Sequence, residues 1–120
     1  MSTVLVVEDS TTELEIISRC LQQAGMAVIS AKSGEEAQTK LASQQPDLIV
    51  LDVILPGQSG FELCRELRAD SKTSGIPIII CSTKGTDVDK MWGDMLGANA
   101  YLTKPIDQAE LVAAVRRLIK

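Results

Sequence analysis

The chain has 120 residues, 45% of them hydrophobic, enough for one core that needs no disulfide or metal staple. A net charge of -4 and a pI near 4.8, with no basic stripe, exclude the phosphate-backbone attraction on which nucleic-acid binders depend. Three cysteines without metal-ligand spacing and the absence of histidine exclude a zinc site and a Cys-His pair.

The first element is a buried strand, Thr3 to Val7, with Glu8-Asp9 at its exit. Ser10-Thr11-Thr12-Glu13 reads as a capping box. Leu14, Ile17, Leu21 and Ala24 follow at helical spacing, and Gly25 ends that helix. Met26 to Ala31 is a second strand. Ser33-Gly34-Glu35-Glu36, a second capping box, leads a helix with Ala37 and Leu41 inward that Pro46 stops. Leu48 to Leu51 is an unbroken apolar run, the pattern of a strand buried on both faces of a parallel sheet. It delivers Asp52 to its carboxyl end before Pro56-Gly57 breaks the strand.

Ser59-Gly60-Phe61-Glu62 caps a third helix with Phe61, Cys64 and Leu67 on one stripe. Ile76 to Cys81 is a fourth buried strand, ending in Ser82-Thr83-Lys84-Gly85. A fourth helix begins near Thr86 and is expected to bury Val88, Met91, Trp92 and Met95 before Gly97. Gly93 inside it costs about 1 kcal/mol against Ala, so this helix should be the loosest element. Ala98 to Thr103 is the fifth strand, followed by Lys104-Pro105. Asp107-Gln108-Ala109-Glu110 caps the last helix, whose Leu111, Val112, Val115, Leu118 and Ile119 face the core up to Lys120.

Five strand-helix alternations predict an α/β fold, a parallel sheet covered on both faces by right-handed crossovers. Neither a linker nor a repeat divides the chain, so residues 1–120 are expected to form a single domain with no output domain. No signal-peptide succession opens it and no apolar run has membrane-spanning length, so the expectation is a cytoplasmic protein without membrane insertion.

In such a fold every strand's carboxyl end lies on one edge, where open sheets bind ligands. Asp52 alone reads equally as a site carboxylate or a solvated turn residue. Its neighbours on that edge are Glu8 and Asp9 from strand one, Ser82 and Thr83 from strand four and Lys104 from strand five. Clustered carboxylates call for a cation, and oxygen-only ligands with room for water suit Mg²⁺ better than Zn²⁺ or a Ca²⁺ cage. A metal and a lysine around an exposed carboxylate are equipment for phosphoryl transfer. Asp52 would be the nucleophile, with Ser82 and Lys104 each on a phosphoryl oxygen.

Glu8-Asp9, Asp52, Ser82-Thr83 and Lys104-Pro105, each at a strand end and in this order, resemble the receiver domain of two-component response regulators over the whole chain. The resemblance implies a flavodoxin-like doubly wound (βα)5 fold with strand order 2-1-3-4-5. It implies that a sensor histidine kinase phosphorylates Asp52 in a Mg²⁺-dependent reaction, with the metal on Asp9, Asp52 and the Ile54 backbone carbonyl and Glu8 acting largely through water. A cis peptide between Lys104 and Pro105 is implied too. Glu8 stands for the family's more frequent Asp, Ser82 for Thr and Thr83 for Ala, and Thr83 is bulkier where a small residue leaves the phosphoryl group accessible.

Tyr101 matches the family's switch aromatic, coupled to Ser82, which makes the fourth helix, fifth strand and fifth helix the implied output face; the alternative is a half-buried strand tyrosine. Trp92, beside Met91 and Met95, reads either as core or as a docking residue. The run Ser82 to Gly93 resembles stand-alone, chemotaxis-regulator-like receivers of type IV pilus, twitching and phototaxis systems. That implies a regulator of motility or taxis, with a downstream target in the pilus or motor, either monomeric or dimerising on phosphorylation. It implies no enzyme activity beyond self-phosphorylation and self-dephosphorylation. An aspartyl-phosphate phosphatase would need a second aspartate two residues after the nucleophile, where Ile54 stands. A flavin binder would need stacking aromatics, and the chain has one Trp, one Tyr and one Phe. A receiver fold kept as a phosphorylation-independent interaction module, or as a phosphate sink for a shared kinase, are the remaining alternatives.

Overall fold

The computed structural model describes residues 1–119. Its elements alternate as β1 (Thr3–Val7), α1 (Thr11–Gln23), β2 (Ala27–Ala31), α2 (Gly34–Leu41), β3 (Leu48–Leu51), α3 (Gly60–Ala69), β4 (Ile78–Ser82), α4 (Asp87–Met95), β5 (Ala100–Thr103) and α5 (Gln108–Leu118). The strands form one parallel sheet in the order β2-β1-β3-β4-β5, as the resemblance implies. The expected run of the last helix to Lys120 lies, at that residue, outside the described residues.

Alternate strand residues feed opposite faces of the sheet. Val4, Val6, Leu48, Val50, Ile79 and Cys81 pack with Ile17 and Leu21 of α1 and Leu111 and Val115 of α5. Leu5, Val7, Ile49, Leu51, Ile78 and Ile80 pack on the other face with Ala37 of α2 and Leu63 and Leu67 of α3. Each fully buried Leu or Ile contributes roughly 1.5–3 kcal/mol of transfer energy, so both faces hold the sheet. Because β3 is buried on both sides, Asp52 leaves it from the most constrained part of the molecule.

The helix starts follow the expected residues with a different chemistry. Ser10, Ser33, Ser59 and Asp107 each accept the N–H three residues on. The reciprocal half of the expected boxes is absent at the first two, because the Ser10 N–H donates to Glu8 and Glu36 accepts from the Lys32 N–H. Among the described residues the reciprocal capping box is formed by Thr86 and Asp89. The helix expected to run to Pro46 ends at Leu41, since Ala42 to Gln45 are all exposed and offer no face to bury.

The largest correction concerns α4. Val88, Met91, Trp92 and Met95, expected in the core, are 57%, 55%, 49% and 68% exposed. The residue this helix turns to the sheet is Gly93, where a Cβ would lie 2.9 Å from Tyr101 Cδ2 and 3.1 Å from Ile80 Cδ1. A helix that approaches this closely through a glycine leaves its apolar stripe on the outside.

Two polar clamps hold the ends of the elements. Arg68 of α3 donates from Nε to the Gly97 carbonyl at 2.9 Å, from Nη1 to the carbonyls of Ser74 and Ile76 at 3.1 and 2.6 Å, and from Nη2 to Asn99 Oδ1 at 2.9 Å. Asn99 Oδ1 also accepts the Ile78 N–H at 2.8 Å, tying α3 to the start of β4 and the end of α4. On the opposite edge, the Gly60 N–H donates to the Val53 carbonyl at 2.8 Å, and a Cβ on Gly60 would lie 1.9 Å from the Asp52 carbonyl oxygen.

Candidate functional site

Val7 pairs with Leu51, Leu51 with Ile80, and Ser82 with Thr103, so the residues that follow leave the sheet side by side. The ladder continues one step beyond the strands: Asp52 N–H donates to Val7 at 3.1 Å, Glu8 N–H to Ala31 at 2.9 Å and Lys104 N–H to Ser82 at 2.9 Å. Residues 8, 52 and 104 are thereby held by backbone before any side chain is considered. The Lys104-Pro105 peptide is cis.

Lys104 is the hub. Its Nζ donates to Asp52 Oδ2 at 3.0 Å and to Glu8 Oε1, and stands 4.0 Å from Glu13 Oε2. The side chains of Lys104 and Glu8 are 7% and 3% exposed, so this pair is shielded from solvent and salt. Burial alone would lower the ammonium pKa, but the hydrogen bonds to Glu8 and Asp52 outweigh it and hold the pKa above its ordinary value. Burial raises the Glu8 pKa, against the pull of Lys104 and the Ser10 N–H, and the Asp52 charge adds to the rise.

Asp52 is buried, and its Oδ1 accepts the Ile54 N–H at 3.2 Å. Asp9, two residues beyond the end of β1, is exposed. Glu8, which the resemblance brings to a metal through water, accepts from the Ser10 N–H and from Lys104 Nζ. Among the described residues no three His, Cys, Asp or Glu side chains gather into a metal-holding group. The carboxylates of Asp9 and Asp52, with Ile54 tied to Asp52 through its N–H, are a hard oxygen donor set of the kind Mg²⁺ takes with several retained waters, so the residues fit that ion.

Ser82 is fully buried at the end of β4, and its Oγ accepts the Lys84 N–H at 3.2 Å. Thr83 is exposed. The Tyr101 hydroxyl donates to the Lys84 carbonyl, so Ser82 and Tyr101 hold the two polar ends of one loop residue. Burial, with the charges of Asp89 and Asp52, raises the Tyr101 pKa from 10.0 to about 12. Cys81 points to the opposite face, where burial raises its thiol to about 12 and leaves it inert. Sequence reasoning missed Glu13 as a neighbour of Lys104 and Gly93 as the seat of Tyr101. A carboxylate in the first turn of the helix that follows Glu8-Asp9 was the available signal for the first.

The molecule is an open doubly wound α/β domain with an aspartate and a lysine joined at the carboxyl edge of its sheet. Residues 4–116 match the family model described as the response regulator receiver domain, and the chain belongs to that family. It is 36% identical to Protein PilH of Pseudomonas aeruginosa over 119 residues, 99% of this chain and 98% of that protein. It also spans about half the length of three further curated relatives, at 38 or 39% identity.

The chemotaxis response regulator CheY4 of Vibrio cholerae superposes with a TM-score of 0.92 at 33% identity, covering 99% of each chain. The receiver domain of a sensor histidine kinase from Pseudomonas aeruginosa, with a magnesium ion coordinated in its active site cleft, superposes with a TM-score of 0.89 at 30% identity, covering 98% of this chain and 96% of that one. Receiver domains are signalling modules of two-component systems that work between histidine kinases and downstream targets. No helix among the described residues is long and apolar enough to cross a membrane.

Proposed function

We propose that this protein is a phosphoacceptor response regulator whose phosphoryl site is Asp52. An Asp52 carboxylate oxygen forms the new O–P bond as the N–P bond of a kinase phosphohistidine breaks, and the imidazole leaves with the bonding pair and takes up a proton. The observation that carries this reading is the Lys104 ammonium, 3.0 Å from Asp52 Oδ2 and fixed by a buried glutamate. A shielded, preoriented charge beside a nucleophile stabilises developing phosphoryl charge without reorganisation. Asp9, Asp52 and the Ile54 carbonyl would hold Mg²⁺, which when bound neutralises phosphoryl oxygens. Glu8 positions Lys104 in this reading.

The Ser82 hydroxyl would turn from the Lys84 N–H toward a phosphoryl oxygen, releasing one end of the residue whose other end holds Tyr101. Tyr101 packs on Gly93, so the signal would reach α4 and its exposed stripe at the α4/β5/α5 face. Near-complete mutual coverage with PilH supports residues 1–120 as a single receiver domain that signals by binding. Similarity to PilH and CheY4 supports a role in motility or taxis. A cytoplasmic location, beside the kinase, belongs to the same reading, as does the absence of any activity beyond self-phosphorylation and self-dephosphorylation.

The test is exposure to acetyl phosphate or beryllofluoride with Mg²⁺, read by intact mass or by Trp92 fluorescence. Wild type should respond and Asp52→Asn should not. A response retained in Asp52→Asn, or absent from wild type, defeats the assignment. The lifetime of the phosphorylated protein separates an effector from a phosphate sink, a short lifetime marking the sink.

A further inference from the structure

Glu13 sits in the first turn of α1, its N–H taken by the Ser10 cap and its side chain free of the reciprocal cap that the sequence suggests. That side chain reaches to 4.0 Å from Lys104 Nζ, making it a third carboxylate on the ammonium after Glu8 and Asp52. It differs from the other two in being open to solvent, with 36% exposure against 3% and 9%. Glu8 and Asp52 reach the lysine from the ends of strands, whereas Glu13 reaches it from the helix and is the solvent-open member of the three. Its charge is therefore open to a ligand coming from solution, while Lys104, 7% exposed, is not.

We propose that Glu13 determines donor specificity: it is a charge filter that slows free, highly anionic phosphodonors and leaves transfer to a donor carried in by a docked protein. The inference rests on Asp52 as the phosphoacceptor. A docked protein holds its phosphoryl group against that repulsion with interface contacts that a small molecule lacks. Repulsion scales with the charge of the incoming donor, so the filter discriminates dianions from monoanions. Taking about 7 Å, an effective dielectric constant of about 60 and screening at about 0.1 M salt, one unit charge slows a monoanion roughly twofold and a dianion roughly fourfold.

The full chain is tested at saturating Mg²⁺ with acetyl phosphate, a dianion, and phosphoramidate, a monoanion. In the first, Asp52 gains the phosphoryl group as the P–O bond breaks and acetate leaves with the bonding pair. In the second the P–N bond breaks and ammonia leaves. Glu13→Gln should raise the acetyl phosphate rate roughly fourfold and the phosphoramidate rate roughly twofold, Glu13→Lys should roughly square both factors, and ~1 M salt should erase them. Glu15→Gln, whose glutamate pairs with Arg19 at 2.6 Å, should change neither rate by more than a small margin. Equal gains with both donors, a gain that survives high salt, or no gain in Glu13→Gln while wild type is labelled on Asp52 overturns the filter alone. Failure of wild type to be labelled by either donor overturns the phosphoacceptor reading beneath it.

Discussion

Replacing Gly93 by alanine sets two known effects against each other. Removing a glycine from a helix interior stabilises by about 1 kcal/mol, which argues for the substitution. The added Cβ would fall 2.9 Å from Tyr101 Cδ2, 3.2 Å from Tyr101 Cε2 and 3.1 Å from Ile80 Cδ1, and overpacking of this kind costs about 1–3 kcal/mol. The ring cannot swing aside freely, because its hydroxyl is bound to the Lys84 carbonyl. Gly93→Ala should therefore lower stability by about 1 kcal/mol in urea unfolding, with an unchanged m-value.

In a Tyr101→Ala background two of the three close contacts vanish, leaving a terminal methyl that can turn away. There the same substitution should stabilise by up to about 1 kcal/mol, a coupling of roughly 2 kcal/mol in the double-mutant cycle. If Gly93→Ala stabilises both backgrounds alike, α4 does not rest on Tyr101 through this glycine.

The single tyrosine should titrate by ultraviolet absorbance near pH 12 in the folded protein, and a midpoint near 10.0 with native circular dichroism would contradict its burial. Since the folded pKa is raised, this group's contribution to stability is complete below 10.0 and is lost as pH climbs through about 12. Lys104→Ala leaves Glu8 buried without its counterion and should destabilise by about 2–4 kcal/mol at pH 8. The loss should shrink at pH 5, because a carboxyl whose pKa is raised on folding gives up stability as pH rises. Equal losses at the two pH values would remove Glu8 from the explanation. Arg68→Ala should cost about 2–3 kcal/mol, and Arg68→Lys should restore little of it, since an ammonium cannot reproduce the guanidinium fork. All three cysteines are buried, so a thiol reagent should find none within minutes in the native state and three in denaturant.

The alternation of apolar runs and caps made the sheet and most helix starts legible before any coordinates. Asp52, Glu8 and Lys104 were legible for a geometric reason: parallel strands put all carboxyl ends on one edge, so sequence-distant residues must meet there. The α4 face was misread because periodicity locates an apolar stripe without saying which way it points. A glycine carries no weight in such a pattern, yet Gly93 is what the helix presents to Tyr101. The Arg68 clamp was invisible for a related reason: four acceptors drawn from the α3–β4 and α4–β5 loops leave no local spacing to read.

The contact of Gly60 with the Asp52 carbonyl makes a closed ring of the segment from Val53 to Ser59, its neck tied by the Gly60 N–H on Val53. Side chains around the ring can change without shifting its neck, so placement of the nucleophile and tuning of its surroundings are separable tasks in this chain. Ile54, Leu55 and Gln58 are thus positions at which an engineer can vary side chains near Asp52 without having to rebuild its support, whereas Gly57, at a φ of 75°, and Gly60 must stay glycines.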